Sequence, residues 1–333
     1  MKSILTAICL AALASLAAAQ NNPPGSLLLF PEFDNRAGEV NLVTVTNTST
    51  SSVGGTIDVE FVYIGRRVNN DIEISCSEFN RTERLTPGDT LSLLTRYHNP
   101  ELEQGYLYVF AKDPETGEPV VFNHLVGSGL HISTISVLDF STNSATFRGV
   151  GSSDGAEAAD FTPTDIDGDG IRDLNGLEYQ QVADEIIIPR FFGQNFFVQS
   201  ELYLVSLAPS GFETTLDFLI YNDNEEVFSA EHSFTCWDKV PLLEISGVFD
   251  NLFLRLYTDN DPDEVIGFRG VETGWIHIDG GLASSTAQSI SDPAFFAFLA
   301  EGLITLRVAD LPFTIGLQAN GDLLNRTLFT DGD

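Results

Sequence analysis

Apolar and polar positions alternate in short runs along most of the chain. Leu42 to Thr46 alternates aliphatic residues with threonine, and Ile57 to Ile64 (IDVEFVYI) alternates inward and outward candidates. A two-residue period broken by Gly, Pro, Asn and Asp marks half-buried strands. Tyr106 to Ala111 is a more continuous apolar run. The regular spacing predicts sandwiches rather than alternating strand–helix units. Pro293 to Glu301 (PAFFAFLAE) reads as a short helix or as a buried strand. The expected class is all-β.

The runs also repeat. Residues 27–33 (LLLFPEF) match 186–192 (IIIPRFF), with Pro31 on Pro189 and Phe33 on Phe191. VNLVTVTNT (40–48) matches ELYLVSLAP (201–209), and TIDVEFVYI (56–64) matches TTLDFLIYN (214–222), placing Phe61 on Phe218. Cys76 then falls on Cys236, GYLYVF (105–110) on GWIHID (274–279), and PVVFNHLVG (119–127) on PAFFAFLAE (293–301). Anchors in a constant order predict an internal duplication. Each copy has the size of one sandwich domain: 20–150 and 185–333, joined by a linker over 151–184. The 333 residues exceed what one core usually serves.

Four elements carry a resemblance: Phe30-Pro31-Glu32-Phe33, Val43-Thr44-Val45-Thr46-Asn47, Pro87-Gly88-Asp89-Thr90-Leu91-Ser92-Leu93 and Gly105-Tyr106-Leu107-Tyr108-Val109, with Gly274-Trp275-Ile276-His277-Ile278 closing the second copy. They resemble the immunoglobulin-like repeats of secreted bacterial proteins. The resemblance implies two tandem immunoglobulin-like β-sandwiches and export, and carries over no catalytic residue.

Residues 1–19 have the order of a secretory signal peptide: Lys2, an apolar stretch from Ile4 to Leu16, and Ala17-Ala18-Ala19 before the expected cleavage. The apolar stretch is too short for a normal span, and no later one reaches 18 residues, so no membrane insertion of the mature chain is expected. A secreted or surface-associated protein follows, with the periplasm as an alternative. Sixteen Lys and Arg stand against 48 Asp and Glu, a formal charge of −32. That charge excludes nucleic acid and anionic membranes as partners, since both are held through cationic patches.

The linker holds the sharpest motif, Asp165-Ile-Asp-Gly-Asp-Gly-Ile-Arg-Asp173. Carboxylates at alternate positions suit a hard, oxygen-seeking cation. Asp165, Asp167 and Asp169 point into one loop, Gly170 permits the turn, the Ile171 carbonyl is a ligand, and Asp173 ligates directly or through water. The spacing resembles calcium loops of EF-hand, dockerin and thrombospondin type 3 proteins, and calcium is the expected cofactor. The twelfth position, where those loops place a bidentate acid, is Gly176; Glu178, Asn175 and Asp160 are candidate substitutes.

No catalytic set emerges. Gly151-Ser152-Ser153-Asp154-Gly155 matches a nucleophile elbow in letters, but lies in a polar linker without the strand and helix that motif needs. His98, His124, His131, His232 and His277 show no metal-ligand spacing. The pairs Phe191-Phe192, Phe196-Phe197 and Phe295-Phe296 would each expose one ring unless a domain interface covers it. Sequons occur at Asn47, Asn80 and Asn325. Cys76 and Cys236 occupy matching places in the copies, and such positions meet only on a local two-fold axis. A disulfide there and two separately buried thiols both stay open. The reading is a secreted, non-enzymatic binding or structural protein, adhesion-like, with a calcium-stabilised linker and an extracellular protein or glycan as partner. The alternatives are an extracellular polymer hydrolase with its site at the domain junction, and a carbohydrate-binding module.

Overall fold

The computed structural model describes residues 23–69, 72–133, 139–150, 159–209, 211–258, 270–303, 306–310 and 312–323. Residues 1–19, the 151–155 motif and Asn325 lie outside them. The first half contains β1 (Leu27–Asp34), β2 (Glu39–Asn47), β3 (Ile57–Asn69), β4 (Ile72–Leu85), β5 (Thr90–Leu94), β6 (Gln104–Lys112), β7 (Val120–Phe122), β8 (Leu125–Ser133), β9 (Phe140–Asn143) and β10 (Ala145–Phe147). β11 (Ala159–Pro163) and β12 (Arg172–Leu174) follow. The second half contains β13 (Val182–Phe192), β14 (Val198–Ser206), β15 (Glu213–Asn222), β16 (Val227–Thr235), β17 (Trp237–Pro241), β18 (Thr273–Ser284), β19 (Ser289–Ser291), β20 (Phe295–Leu303), β21 (Leu306–Asp310), β22 (Phe313–Ala319) and β23 (Gly321–Leu323). The chain is all-β, and the ambiguous 293–301 stretch lies mostly in strand β20.

Four main sheets form. The first half pairs β10-β1-β6-β3-β4 with β5-β2-β8-β9; the second pairs β22-β13-β18-β15-β16 with β17-β14-β20-β21. The strand orders correspond one to one. Phe33 and Phe191 both stand opposite a glycine, Gly105 and Gly274, and both are buried. In each case a Cβ on the glycine would meet backbone at about 2 Å, 2.0 Å for Gly105 and 2.2 Å for Gly274, so only glycine fits. Phe61 and Phe218 lie on corresponding strands, each inside its own core.

Alternation decides which face each side chain serves. On β1, Leu28 and Phe30 enter the first core, while Leu27 and Leu29 face the second half. On β6, Leu107, Val109 and Ala111 point one way and Tyr106, Tyr108 and Phe110 the other. The second half answers with Tyr203, Val205, Phe296 and Phe298, whose neighbours Leu202, Leu204, Phe295 and Ala297 fill its own core. The β1 and β14 sheets are thus covered on both faces, which is why β1, β6 and β20 read as continuous apolar runs. The four sheets stack, and the two end faces carry polar residues.

Two expectations need correction. Cys76 and Cys236 are not at matching positions. Phe61 pairs with Arg81 and Phe218 with Ala230, so the counterpart of Cys76 is Glu225 and that of Cys236 is Pro87. Cys76 sits near the start of β4 and Cys236 just past the end of β16. A disulfide joins them, with α-carbons 6.1 Å apart. It links opposite ends of corresponding strands, so no local two-fold axis is involved; the halves meet head to tail. Both cysteines have positive φ, 59° and 43°, an uncommon and mildly strained state for a residue with a Cβ.

The phenylalanine pairs also divide. Phe295 and Phe296 are covered, one by each side. Phe191 is buried and Phe192 lies under the Arg190 guanidinium. Phe196 and Phe197 sit in a turn, 88% and 64% exposed among the described residues. Asn47 is fully buried and its amide donates to the Gly55 carbonyl at 2.7 Å, whereas Asn80 is exposed.

Candidate metal centre

The acidic loop hangs between two strand pairings. β11 pairs with β7 of the first half, and β12 pairs with β23 near the end of the second. Beyond the loop, Leu174 and Tyr179 are buried among the apolar side chains of the junction, so the linker is packed into the structure rather than draped across it.

Loop shape follows from short-range chemistry. Gly168 and Gly170 have φ of 75° and 82°, with open space where a Cβ would stand; backbone conformation, not crowding, requires glycine there. The aspartates cap nearby amides. Asp167 accepts from the Asp169 N–H at 3.2 Å, Asp169 from Ile171 at 2.8 Å and Asp165 from Gly170 at 3.4 Å.

Gly176 has φ of 80° and forms the next turn, in which Asn175 accepts from the amides of Leu177 and Glu178 at 2.7 and 3.0 Å. This turn sends Glu178 back under the loop. Its carboxylate accepts from the Ile166 N–H at 2.6 Å and the Asp173 N–H at 3.3 Å, and the residue is 2% exposed. One oxygen from each of Asp165, Asp167 and Glu178 lies within 4.8 Å of the others. Asn175 shapes the turn, and the side chain of Asp160 lies outside the described residues. Asp169 and Asp173 flank the trio without joining it, and Ile171 is half-buried beside them.

The pairing of β12 with β23 sets Asp322 opposite Asp173. Burial, then the charges of Asp173 and Asp169, push its carboxyl up to about 6. Burial raises Asp173 as well, aided by Asp169 and Asp167. Burial also raises Glu178, against the pull of its two amide donors. Arg172 supplies the nearby positive charge, 3.3 Å from Asp165 and over the Phe110 ring. Carboxylates held this close resist ionisation unless a cation joins them, and an all-oxygen donor set fits a hard dication. Asp322 was invisible in the sequence, because no local spacing connects it to the loop.

A second group lies at the junction itself. Glu32 on β1 is buried between Lys239, at 2.8 Å, and His131, at 3.2 Å. The other nitrogen of His131 stands 3.2 Å from Glu39, and Lys239 also reaches Glu201 at 3.2 Å. Burial raises the Glu32 carboxyl, with Lys239 and His131 pulling the other way. Burial disfavours the charge on Lys239, but Glu32 and Glu201 outweigh it and its pKa rises. A cleft of about 680 Å³ opens beside this group, lined by Arg36, Glu39, Glu201, Asp238 and the disulfide. Among the described residues, the loop trio is the one set that brings three metal-ligating atoms together. His277 instead contacts Glu185 across β13 and β18 at 2.5 Å.

Compared with protein-family models, curated proteins and solved structures, the chain matches none.

Proposed function

We propose that this chain is an exported, non-enzymatic binding or structural protein, adhesion-like, built from two immunoglobulin-like sandwiches that arose by duplication and are clamped by calcium at their linker. The corresponding strand orders and the Phe33–Gly105 and Phe191–Gly274 matches support duplication, with domains over 20–150 and 185–333. One observation carries the calcium reading. Asp165, Asp167 and the buried Glu178 converge in a segment whose two ends pair with different halves. A dication bound there would stiffen the junction, and its partner surface would be presented to an extracellular protein or glycan.

Calorimetry on the mature, disulfide-bonded chain tests the metal. About one calcium ion should bind, and Asp167→Ala and Glu178→Gln should each abolish the heat. Equal heats for wild type and both variants would refute it. A screen against glycans and cell-wall fractions tests the rest: saturable binding without turnover is expected. The 680 Å³ cleft with its carboxylates favours a second reading, a polymer hydrolase at the junction; turnover lost in Glu201→Gln would establish that reading instead.

A further inference from the structure

The outward face of the β5-β2-β8-β9 sheet is uncharged. Val43 and Val45 turn into the core, so Leu42, Thr44 and Thr46 point outward beside Thr90 and Ser92 of β5 and Leu130 of β8. No outward side chain on these four strands carries a charge, in a protein of formal charge −32. The hydroxyls bond along the face rather than to solvent: Thr44 to Ser92 and Thr46 to Thr90, both at 2.9 Å. Drying this face therefore strands few polar groups. Leu130 and Ile132 remain 37% and 41% exposed on it.

The corresponding face of the second half is already an interface. By strand register, Thr44 and Thr46 correspond to Tyr203 and Val205, which are buried against the first half. The opposite end of the stack is different. There Glu185, Asp279, Asp217 and Glu231 form one row across four strands. Among the described residues, no Lys or Arg is ion-paired with them.

We infer that the outward β5-β2-β8-β9 face is where two copies of this chain meet, like face to like face. Strongly acidic molecules repel, so association is least opposed where neither surface carries charge. Growth of the stack in the head-to-tail sense would bury this carboxylate row, in which Glu185 is met by His277 and no Lys or Arg among the described residues balances the rest, and burying carboxylates without such balance is costly. Pairing of identical faces buries none, and it closes as a dimer instead of a fibre. A four-strand face is small for a permanent interface, so the dimer is a reversible one.

Sedimentation of the mature, disulfide-bonded chain from about 1 to about 200 µM tests this, a range that spans micromolar dissociation constants. The mass should double with concentration, more readily at high salt, which screens the repulsion. Leu130→Glu and Thr44→Glu should weaken association at least about tenfold, and Leu219→Glu, on the opposite end face, should leave it unchanged. Unchanged thermal melts show that the variants are folded. A monomer at every concentration overturns the proposal, as does loss of association in Leu219→Glu alone. A monomer that binds an insoluble neutral glycan through this face, lost in Leu130→Glu, also overturns it and assigns the face to a polysaccharide.

Discussion

Lys239 holds its ammonium 2.8 Å from the carboxylate of Glu32, 207 residues away and on the opposite half of the molecule. Both side chains are largely buried, and the lysine also lies over the Tyr203 ring at 5.0 Å. Beside them the Trp237 indole donates to the Pro31 carbonyl at 2.7 Å. Both charges are withdrawn from water, and among the described residues only His131 and Glu201, at 3.2 Å each, also pair with them, so the two charges depend on each other.

Removing one partner should therefore cost more than removing both. Lys239→Met leaves Glu32 buried with His131 as its remaining partner, and should lower stability by about 3–5 kcal/mol. Glu32→Gln together with Lys239→Met should recover much of that loss. Urea unfolding of the four proteins closes the cycle; a loss in the double variant equal to the sum of the two single losses would mean the pair is not coupled.

The disulfide spans 160 residues. In the chain-entropy picture, closing a loop of that length restricts the unfolded chain by about 5 kcal/mol. The Cys76→Ser, Cys236→Ser double variant should melt well below wild type, and peptide mapping without reductant should recover 76 and 236 in one linked fragment. Two free thiols on the purified protein would contradict the bond.

Asp322 tests the loop from outside its own sequence. Without calcium its carboxylate is crowded by Asp173 and Asp169, so Asp322→Asn should raise the melting temperature in the presence of a chelator. In calcium, the same variant should gain less from the ion than wild type does, because negative charge near the site has been removed. Identical melting curves in both conditions would place Asp322 outside the influence of the site.

Stability should rise on mild acidification. Burial raises the carboxyl of Glu301, against its Phe192 amide and Arg190 partners, and burial followed by Glu185 raises Asp279. The folded state thus binds these protons more tightly than the unfolded state. Stability is lost as pH rises through the folded values and is fully present below the ordinary carboxylate range. Melting in a chelator should shift upward from pH 7.5 toward pH 5, by an amount reduced in Glu301→Gln. A falling curve over that interval would show that paired carboxylates dominate instead.

The two-residue period made strands legible, because a half-buried strand must alternate whatever covers it. So was the convergence of Asp165 and Asp167, since it rests on local spacing. Three features were decided only by the tertiary structure. Continuous runs such as LLLF and GYLYVF say that both faces of a strand are covered, but not by which sheet; here β14 and β20 supply the cover. The cysteines looked equivalent because sequence order ignores which end of a hairpin a residue occupies, and the register of β3 with β4 and of β15 with β16 puts them at opposite ends. Asp322 joins the acidic loop through one short strand pairing. Alternation and turn chemistry act between neighbours and are written in the order of residues. Docking of faces, strand register at a distance and the dryness of a junction depend on which surfaces exclude water from each other, and that is settled only when the whole chain has folded.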